Sequence, residues 1–191
     1  MEKKKVSKGP AKKAKKKAPL GFGSERNVLF RPDRYKYVRK VDRPPGCVFC
    51  DSEKSGVGIK SLSVYQSRWS MILLNKFPYN SGHLLVLPRH HCGDFLKLTS
   101  EEYIDLHQTV RIAFETLQEV YSPLGINLGM NHGAVAGAGI PEHLHYHIIP
   151  RWAGDLNFFP LIAQTKVVVE TLEETFAKVS GYLKDNYATK S

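Results

Sequence analysis

No stretch of this 191-residue chain approaches the ~18 consecutive apolar residues that a membrane-spanning helix needs, so no membrane association is expected. The charged N-terminus has no apolar core behind it, so we expect no secretory leader. Cysteine is scarce. The three present, Cys47, Cys50 and Cys92, cannot close a disulfide framework, and the first two form a Cys-x-x-Cys that reads, in a reducing compartment, as metal or redox chemistry. These absences together predict a cytoplasmic protein. Internal repeats are missing as well. Acidic residues are few, 18 against 28 lysines and arginines, for a formal net charge of +10. That excess is local: residues 1–17 hold nine lysines against the single acid Glu2, which leaves the rest nearly neutral.

The remainder is ordinary globular chemistry, 42% hydrophobic and 10% aromatic, long enough to bury a core. Residues 1–23 are low in complexity and hold too little apolar surface to offset their ordering entropy, so a disordered tail is expected. Such a tail suits weak, salt-dependent binding to nucleic acid, or serves solubility alone. Residues 24–46 read as an arm, with a short strand at Tyr35–Arg39 closed by Pro44-Pro45-Gly46. The folded domain is expected over residues 47–187.

Within it, Leu62–Leu74 reads as a hairpin turning at Arg68-Trp69-Ser70, residues 76–82 as a loop, and His83–Pro88 as a buried strand. Thr99 or Ser100 can cap a helix running to about Tyr121, with apolar residues at Ile104, Val110, Ala113, Phe114 and Leu117. Strands at Ile126–Asn131 and His143–Pro150 flank a glycine-rich stretch, Gly133 to Gly139, and a final helix spans about Lys166 to Tyr187. Strand runs with one long helix between them and one after predict an α+β fold on an antiparallel sheet.

The segment richest in chemistry is His143-Leu144-His145-Tyr146-His147. Alternate residues of a strand share a face, so three imidazoles project to one side while Leu144, Tyr146 and Ile148 take the other. Imidazoles in a row can ligate a metal. Alternatively, one neutral histidine attacks as a nucleophile while its neighbours orient it. The glycine-rich stretch upstream favours the second reading, because close-approaching backbone N–H groups cradle a phosphate. Phe49, Leu74 and Phe77 are suitable apolar walls for a purine. His107 is expected on the solvent face of its helix, His132 within reach of a phosphate, and Cys92 as an ordinary packing residue.

His143-x-His145-x-His147, with Asn131 and the glycine loop before it, resembles the histidine triad (HIT) superfamily of nucleotide hydrolases and transferases. Leu74-Asn75-Lys76-Phe77-Pro78 and Ser81 to Pro88 resemble that family's ribose-binding strand, turn and next strand. Arg31 to Tyr35, Ala136-Gly137-x-Gly139 and Pro150-Arg151-Trp152-x-Gly154-Asp155-x-Asn157-Phe158 resemble its bacterial diadenosine tetraphosphate phosphorylases. The resemblance implies a HIT-like fold, with about five antiparallel strands, one long central helix, a C-terminal helix and a homodimer built on residues 99–121 and neighbouring strands. It implies attack by His145 on phosphorus to give a nucleotidyl-histidine, which phosphate or water then discharges. His147 would lie near the phosphate oxygens, His143 would be structural, and His83 would sit close to the triad. Asn75 would hold the ribose hydroxyls, Asn131 a phosphate oxygen, Gly137 and Gly139 the phosphates through their backbone, and Trp152 and Phe158 would either complete the pocket or serve as packing aromatics after the strand. Cys47 and Cys50 would bind structural zinc with His91 and His143, and no organic cofactor is implied. One departure stands out. The Gln followed by Ser or Thr that many family hydrolases carry before the triad is replaced by Ala138-Gly139-Ile140, which is compatible with a roomier phosphate site. The rival reading is a nucleotide- or nucleic-acid-binding module tethered by the basic tail.

Overall fold

A computed structural model describes residues 46–153, 155 and 169–187. The lysine-rich tail and almost all of the arm, with its expected strand at Tyr35–Arg39, lie outside the described residues. The chain enters through a short helix α1 (Val48–Ser55) and an antiparallel hairpin, β1 (Ser63–Gln66) and β2 (Ser70–Leu74). It continues through β3 (Leu84–Pro88), a 3-10 turn at Phe95–Lys97, the long helix α2 (Ser100–Tyr121), β4 (Gly125–Met130), β5 (Tyr146–Arg151) and helix α3 (Leu172–Tyr187). The five strands form one antiparallel sheet in the order β1-β2-β3-β5-β4.

Local chemistry sets the helix ends. Thr99 accepts the Glu102 backbone N–H at 3.3 Å while the Glu102 carboxylate accepts the Thr99 N–H at 2.9 Å, a reciprocal cap that starts α2. Ser122 stops it in the left-handed region at φ +42°, just ahead of Pro123. The same device corrects the expected start of the last helix. Thr171 and Glu174 cap each other, so α3 begins at Leu172 rather than Lys166. Val167 and Val168 lie outside the described residues.

Every residue of β2 and β3 is buried, because both faces of the sheet are covered. On one face Ile72, Leu74, Leu84, Val86 and Ile148 pack with Leu106, Ala113 and Leu117 of α2 and Val179 and Leu183 of α3. Full burial of one such side chain contributes about 1.5–3 kcal/mol. On the opposite face Met71, Leu73, Leu85 and Leu87 pack against Phe49 of α1 and Ile140. The site lies on this thinner face.

The expected strand at His143–Pro150 is shorter than its alternation suggests. β5 starts at Tyr146, and His143 to His145 precede it. Pairing with β3 ends at Val86 opposite Tyr146, and beyond that point a crossing segment replaces the neighbouring strand. The Leu144 N–H donates to the Cys92 carbonyl at 2.7 Å, and Leu144 still joins the helix-side core. The alternation of faces therefore survives without the ladder. Helix α1 carries no apolar stripe long enough to announce it in the sequence.

Candidate active site and metal cluster

Two close approaches of the main chain and one arginine side chain assemble the site. Gly82, at φ +74°, sits where a Cβ would lie 2.9 Å from the Tyr121 ring, and this close approach delivers His83 to the start of β3. Gly93 runs so near the next loop that a Cβ would lie 2.5 Å from the Pro141 carbonyl oxygen. That contact brings the segment carrying His91 alongside the one carrying His143. Arg89, just after β3, donates to the Glu53 carboxylate at 2.8 Å and to the Ser67 carbonyl at 3.0 Å, holding α1 and its cysteines at the same end of the sheet.

The reactive row runs along the covered face. His145 is 6% exposed, and its Nδ1 lies 2.9 Å from the His143 carbonyl oxygen. A carbonyl can only accept, so Nδ1 carries the proton and Nε2 carries the lone pair. Burial holds the His145 pKa below the ordinary histidine value, against the opposing pull of that carbonyl, so the ring is neutral at pH 7. His147 follows with its ring centroid 5.0 Å from that of His145, and its Nδ1 lies 3.0 Å from Nε2 of the buried His83. His83 in turn meets the Tyr79 amide and Asn75, while the Asn75 side-chain oxygen accepts the Phe77 N–H at 3.0 Å.

A cavity of about 580 Å³ opens onto this row. Of the residues expected to hold a nucleotide, Phe49, Leu74, Asn75, Phe77, Asn131, Gly137 and Gly139 line it, together with His145 and His147. Asn131 reaches the Gly137 carbonyl at 3.5 Å and braces the glycine loop, where Gly137 adopts φ +95°. Trp152 does not join them; its ring packs at 6.3 Å from Tyr121 and is not part of the lining. His132 sits apart, 3.6 Å from Asp94. His107, half-buried, meets the Tyr103 carbonyl within its own helix, and Cys92 is buried. Phe158 lies outside the described residues. The wall also uses residues that no motif announced: Ser52 on α1, Lys60 in the following loop, and Tyr79. Ser52 and Lys60 depend on a helix too short to read from periodicity.

His143 faces away from the cavity into a second constellation. Its Nε2 donates to the Pro88 carbonyl at 2.8 Å, which leaves the lone pair on Nδ1. Nδ1 lies 3.4 Å from Cys47 Sγ and 3.6 Å from Cys50 Sγ, and His91 Nδ1 lies 3.3 Å from Cys50 Sγ. All four ligand atoms fall within 4.8 Å of one another. Zinc bonds of ~2.3 Å to sulfur and ~2.05 Å to nitrogen imply a tetrahedral S-to-N edge of about 3.6 Å, close to these three sulfur–nitrogen separations. Burial pushes the His143 pKa down to about 4, keeping it an uncharged ligand. Burial and the adjacent Cys47 push the Cys50 thiol up to about 11, a shift that a bound dication would reverse.

A family model for the HIT domain matches residues 57–154. The chain belongs to the HIT domain family. Its HIT domain is 37% identical over 116 residues to an AP-4-A phosphorylase of Mycobacterium tuberculosis, covering 61% of this chain and 60% of that protein. The match thus spans somewhat less than two thirds of the mycobacterial relative. It is 34% identical over 93 residues to an asymmetrical bis(5'-nucleosyl)-tetraphosphatase of Schizosaccharomyces pombe, covering 49% of this chain and 50% of that one. Among solved structures, a histidine triad nucleotide-binding protein of Sulfolobus tokodaii aligns at TM-score 0.59 and 26% identity over 76% of this chain and 99% of its own. A zinc-bound histidine triad protein of Mycobacterium smegmatis aligns at TM-score 0.59 and 22% identity, over 73% and 94%, a likeness of fold. The HIT-like fold expected from the sequence is therefore the fold observed.

Proposed function

We propose that this HIT domain transfers the nucleotidyl group of a dinucleoside polyphosphate, diadenosine tetraphosphate, to inorganic phosphate through His145. The observation that carries the reading is the His145–His143 carbonyl contact, which leaves an unprotonated Nε2 on a neutral ring lining the cavity. Nε2 bonds to the α-phosphorus of one adenylate, the bridging P–O bond breaks, and ATP departs with the electron pair. Phosphate then attacks the adenylyl-histidine, the P–N bond breaks, ADP leaves, and Nε2 regains its lone pair. Asn75 serves the ribose hydroxyls; Asn131, His147 and the backbone at Gly137 and Gly139 serve the phosphate oxygens. The likeness to the mycobacterial phosphorylase favours phosphate as acceptor. The likeness to the fission-yeast enzyme supports water as the alternative, giving AMP and ATP.

Zinc is the metal we assign to Cys47, Cys50, His91 and His143, on the donor set and its edge lengths. When bound it supplies cross-linking of α1 to the segments after β3 and before β5, not chemistry on the substrate. A homodimer through α2 and β4 is supported by the position of β4 at the sheet edge and by Ile104 and Leu128, 55% and 48% exposed. Among the described residues no helix is long and apolar enough to cross a membrane. The thiol chemistry supports a cytoplasmic location, and the nine tail lysines support an auxiliary, salt-sensitive nucleic-acid contact. Deleting residues 1–22 is expected to abolish such binding and to leave dinucleotide turnover unchanged.

The deciding experiment is anion-exchange analysis of products from diadenosine tetraphosphate, with and without phosphate. ADP and ATP appearing only with phosphate support phosphorolysis. AMP and ATP without phosphate replace it with hydrolysis, and no products in either case exclude this substrate.

A further inference from the structure

The row of imidazoles ends at a group that cannot titrate. The Tyr79 backbone N–H points at Nδ1 of His83 across 3.0 Å, while the Asn75 side-chain amide nitrogen lies between the two ring nitrogens, 3.3 Å from Nδ1 and 3.4 Å from Nε2. The orientation of that amide is set independently, because its oxygen accepts the Phe77 N–H. The Asn75 amide does not choose between the ring nitrogens, but the Tyr79 N–H can only donate, so Nδ1 of His83 is its acceptor. In the neutral ring the proton then belongs to Nε2. That Nε2 faces Nδ1 of His147 at 3.0 Å and donates to it, so Nδ1 of His147 is an acceptor too and its own proton resides on Nε2.

We propose that the Tyr79 amide, acting through His83, fixes the tautomer of His147 and holds its Nε2–H as a standing hydrogen-bond donor to the transferring phosphoryl group. His83 is in this sense a positioning residue: it touches no reacting atom and acts through His147. The inference rests on the nucleotidyl-transfer reading for its purpose, and on the hydrogen-bond chain alone for its substance. Reversing the direction of the chain would set an N–H on His83 Nδ1 against the Tyr79 N–H, and a main-chain amide has no second tautomer with which to adapt. A polar side chain in the same place could rotate; the amide cannot.

The surroundings hold both rings in place. The Tyr79 ring stacks over His147 at 6.0 Å with 26° between planes, and lies 4.9 Å from His83. The His83 N–H donates to the Asn80 carbonyl at 3.2 Å. The buried Asn80 side chain donates to the Pro150 carbonyl at 2.8 Å and to the Asp155 carboxylate at 2.9 Å. One residue thus ties the loop that sets the tautomer to the end of the strand that carries His147.

The test is direct assignment of imidazole tautomers by long-range proton–nitrogen correlation on protein labelled with 15N-histidine, at neutral pH, without substrate. His83 and His147 are expected as Nε2–H tautomers and His145 as Nδ1–H. An Nδ1–H tautomer at His147 overturns the proposal, whether or not the protein turns over any dinucleotide, so its failure is separable from failure of the functional reading. In His83→Phe, which keeps a buried ring but no donor, His147 is expected to lose its single tautomer. Removal of one oriented donor should lower kcat on diadenosine tetraphosphate roughly 10–100-fold, with KM changed less than about threefold. His83→Gln, which can present an amide N–H near the former Nε2, is expected to recover most of that loss. Unaltered tautomer and kcat in His83→Phe would overturn the assignment. If that variant does not fold, the tautomer spectrum of the wild-type protein decides alone.

Discussion

The two flanks of His145 treat the same side chain in opposite ways. On one flank the Pro88 carbonyl takes the Nε2 proton of His143 and turns a lone pair toward two sulfurs. On the other, the Tyr79 amide acts through His83 and leaves His147 with its proton on Nε2. Between them a third main-chain group, the His143 carbonyl, puts the His145 proton on Nδ1. Residue type is constant along the row, with His143 and His145 buried and His147 half-buried. What distinguishes a ligand, a nucleophile and a donor is which ring nitrogen is held and by what: a C=O at Nε2 of His143, a C=O at Nδ1 of His145, and the amide-fixed His83 at Nδ1 of His147.

The comparison can be broken most sharply at its centre. His145→Ala removes the nucleophile and is expected to lower turnover of diadenosine tetraphosphate by roughly 10⁴-fold or more, with metal content unchanged. A variant retaining a tenth of wild-type turnover would rule out a histidine intermediate at this position. Next in size is the outer flank. Cys50→Ser should lower bound zinc from about one per chain to a small fraction of that, measured by elemental mass spectrometry, and lower Tm by at least about 5 °C. Full zinc content in that variant would remove Cys50 from the ligand set.

Gly93→Ala tests how the two loops meet. A Cβ 2.5 Å from the Pro141 carbonyl forces a backbone shift worth about 1–3 kcal/mol, or a Tm loss of roughly 3–10 °C. Because His91 and His143 approach across that contact, zinc affinity should fall while the His147 tautomer is unaffected. An unchanged Tm would mean that the loops move freely.

The smallest effect belongs to the inner flank. Burial alone would raise the Asp155 pKa, but hydrogen bonds from Arg151 and Asn80, with the Trp152 backbone and the Arg151 charge, hold it below the ordinary carboxylate value. A depressed pKa stabilises the fold above the unfolded carboxylate value, and that stability is lost as pH falls through the lower folded value. Asp155→Asn should therefore lower Tm by about 1–3 °C at pH 7, with the gap closing in that acid window. A gap that persists below it would point to packing instead of charge.

Much of the fold is legible in the amino-acid sequence. The capping residues of α2, the hairpin turn and the alternation from His143 to Ile148 are local signals, and local physics honours them. The Cys-x-x-Cys pair is equally visible, but its partners His91 and His143 come from family resemblance, since spacing along the chain does not reveal which loops cross. What the sequence hides depends on distant contacts. α1 is eight residues long and held by Arg89 and Phe49 more than by its own pattern. The periodicity points to a start for α3 at Lys166, because Val167 and Val168 continue an apolar stripe that the Thr171 cap cuts. Trp152 reads equally as a pocket or a packing residue, and its ring lies against Tyr121. The Tyr79 amide carries no side-chain signature at all.

The order of the strands has a consequence for how the protein is made. β5 lies between β3 and β4, although among the described residues it is the last strand in chain order. As the chain emerges from the ribosome, the β1-β2-β3 meander and α2 can assemble while the cysteines still have only His91 for a histidine partner. β4 meanwhile has no neighbour to pair with. Only when β5 slots in, with His147 facing Leu85 on one side and Gly129 on the other, do the two halves of the sheet join. The nucleophile, His147 and the fourth metal ligand then arrive together, so a chain cut at the end of β4 holds three of the four metal ligands and His83 but no nucleophile.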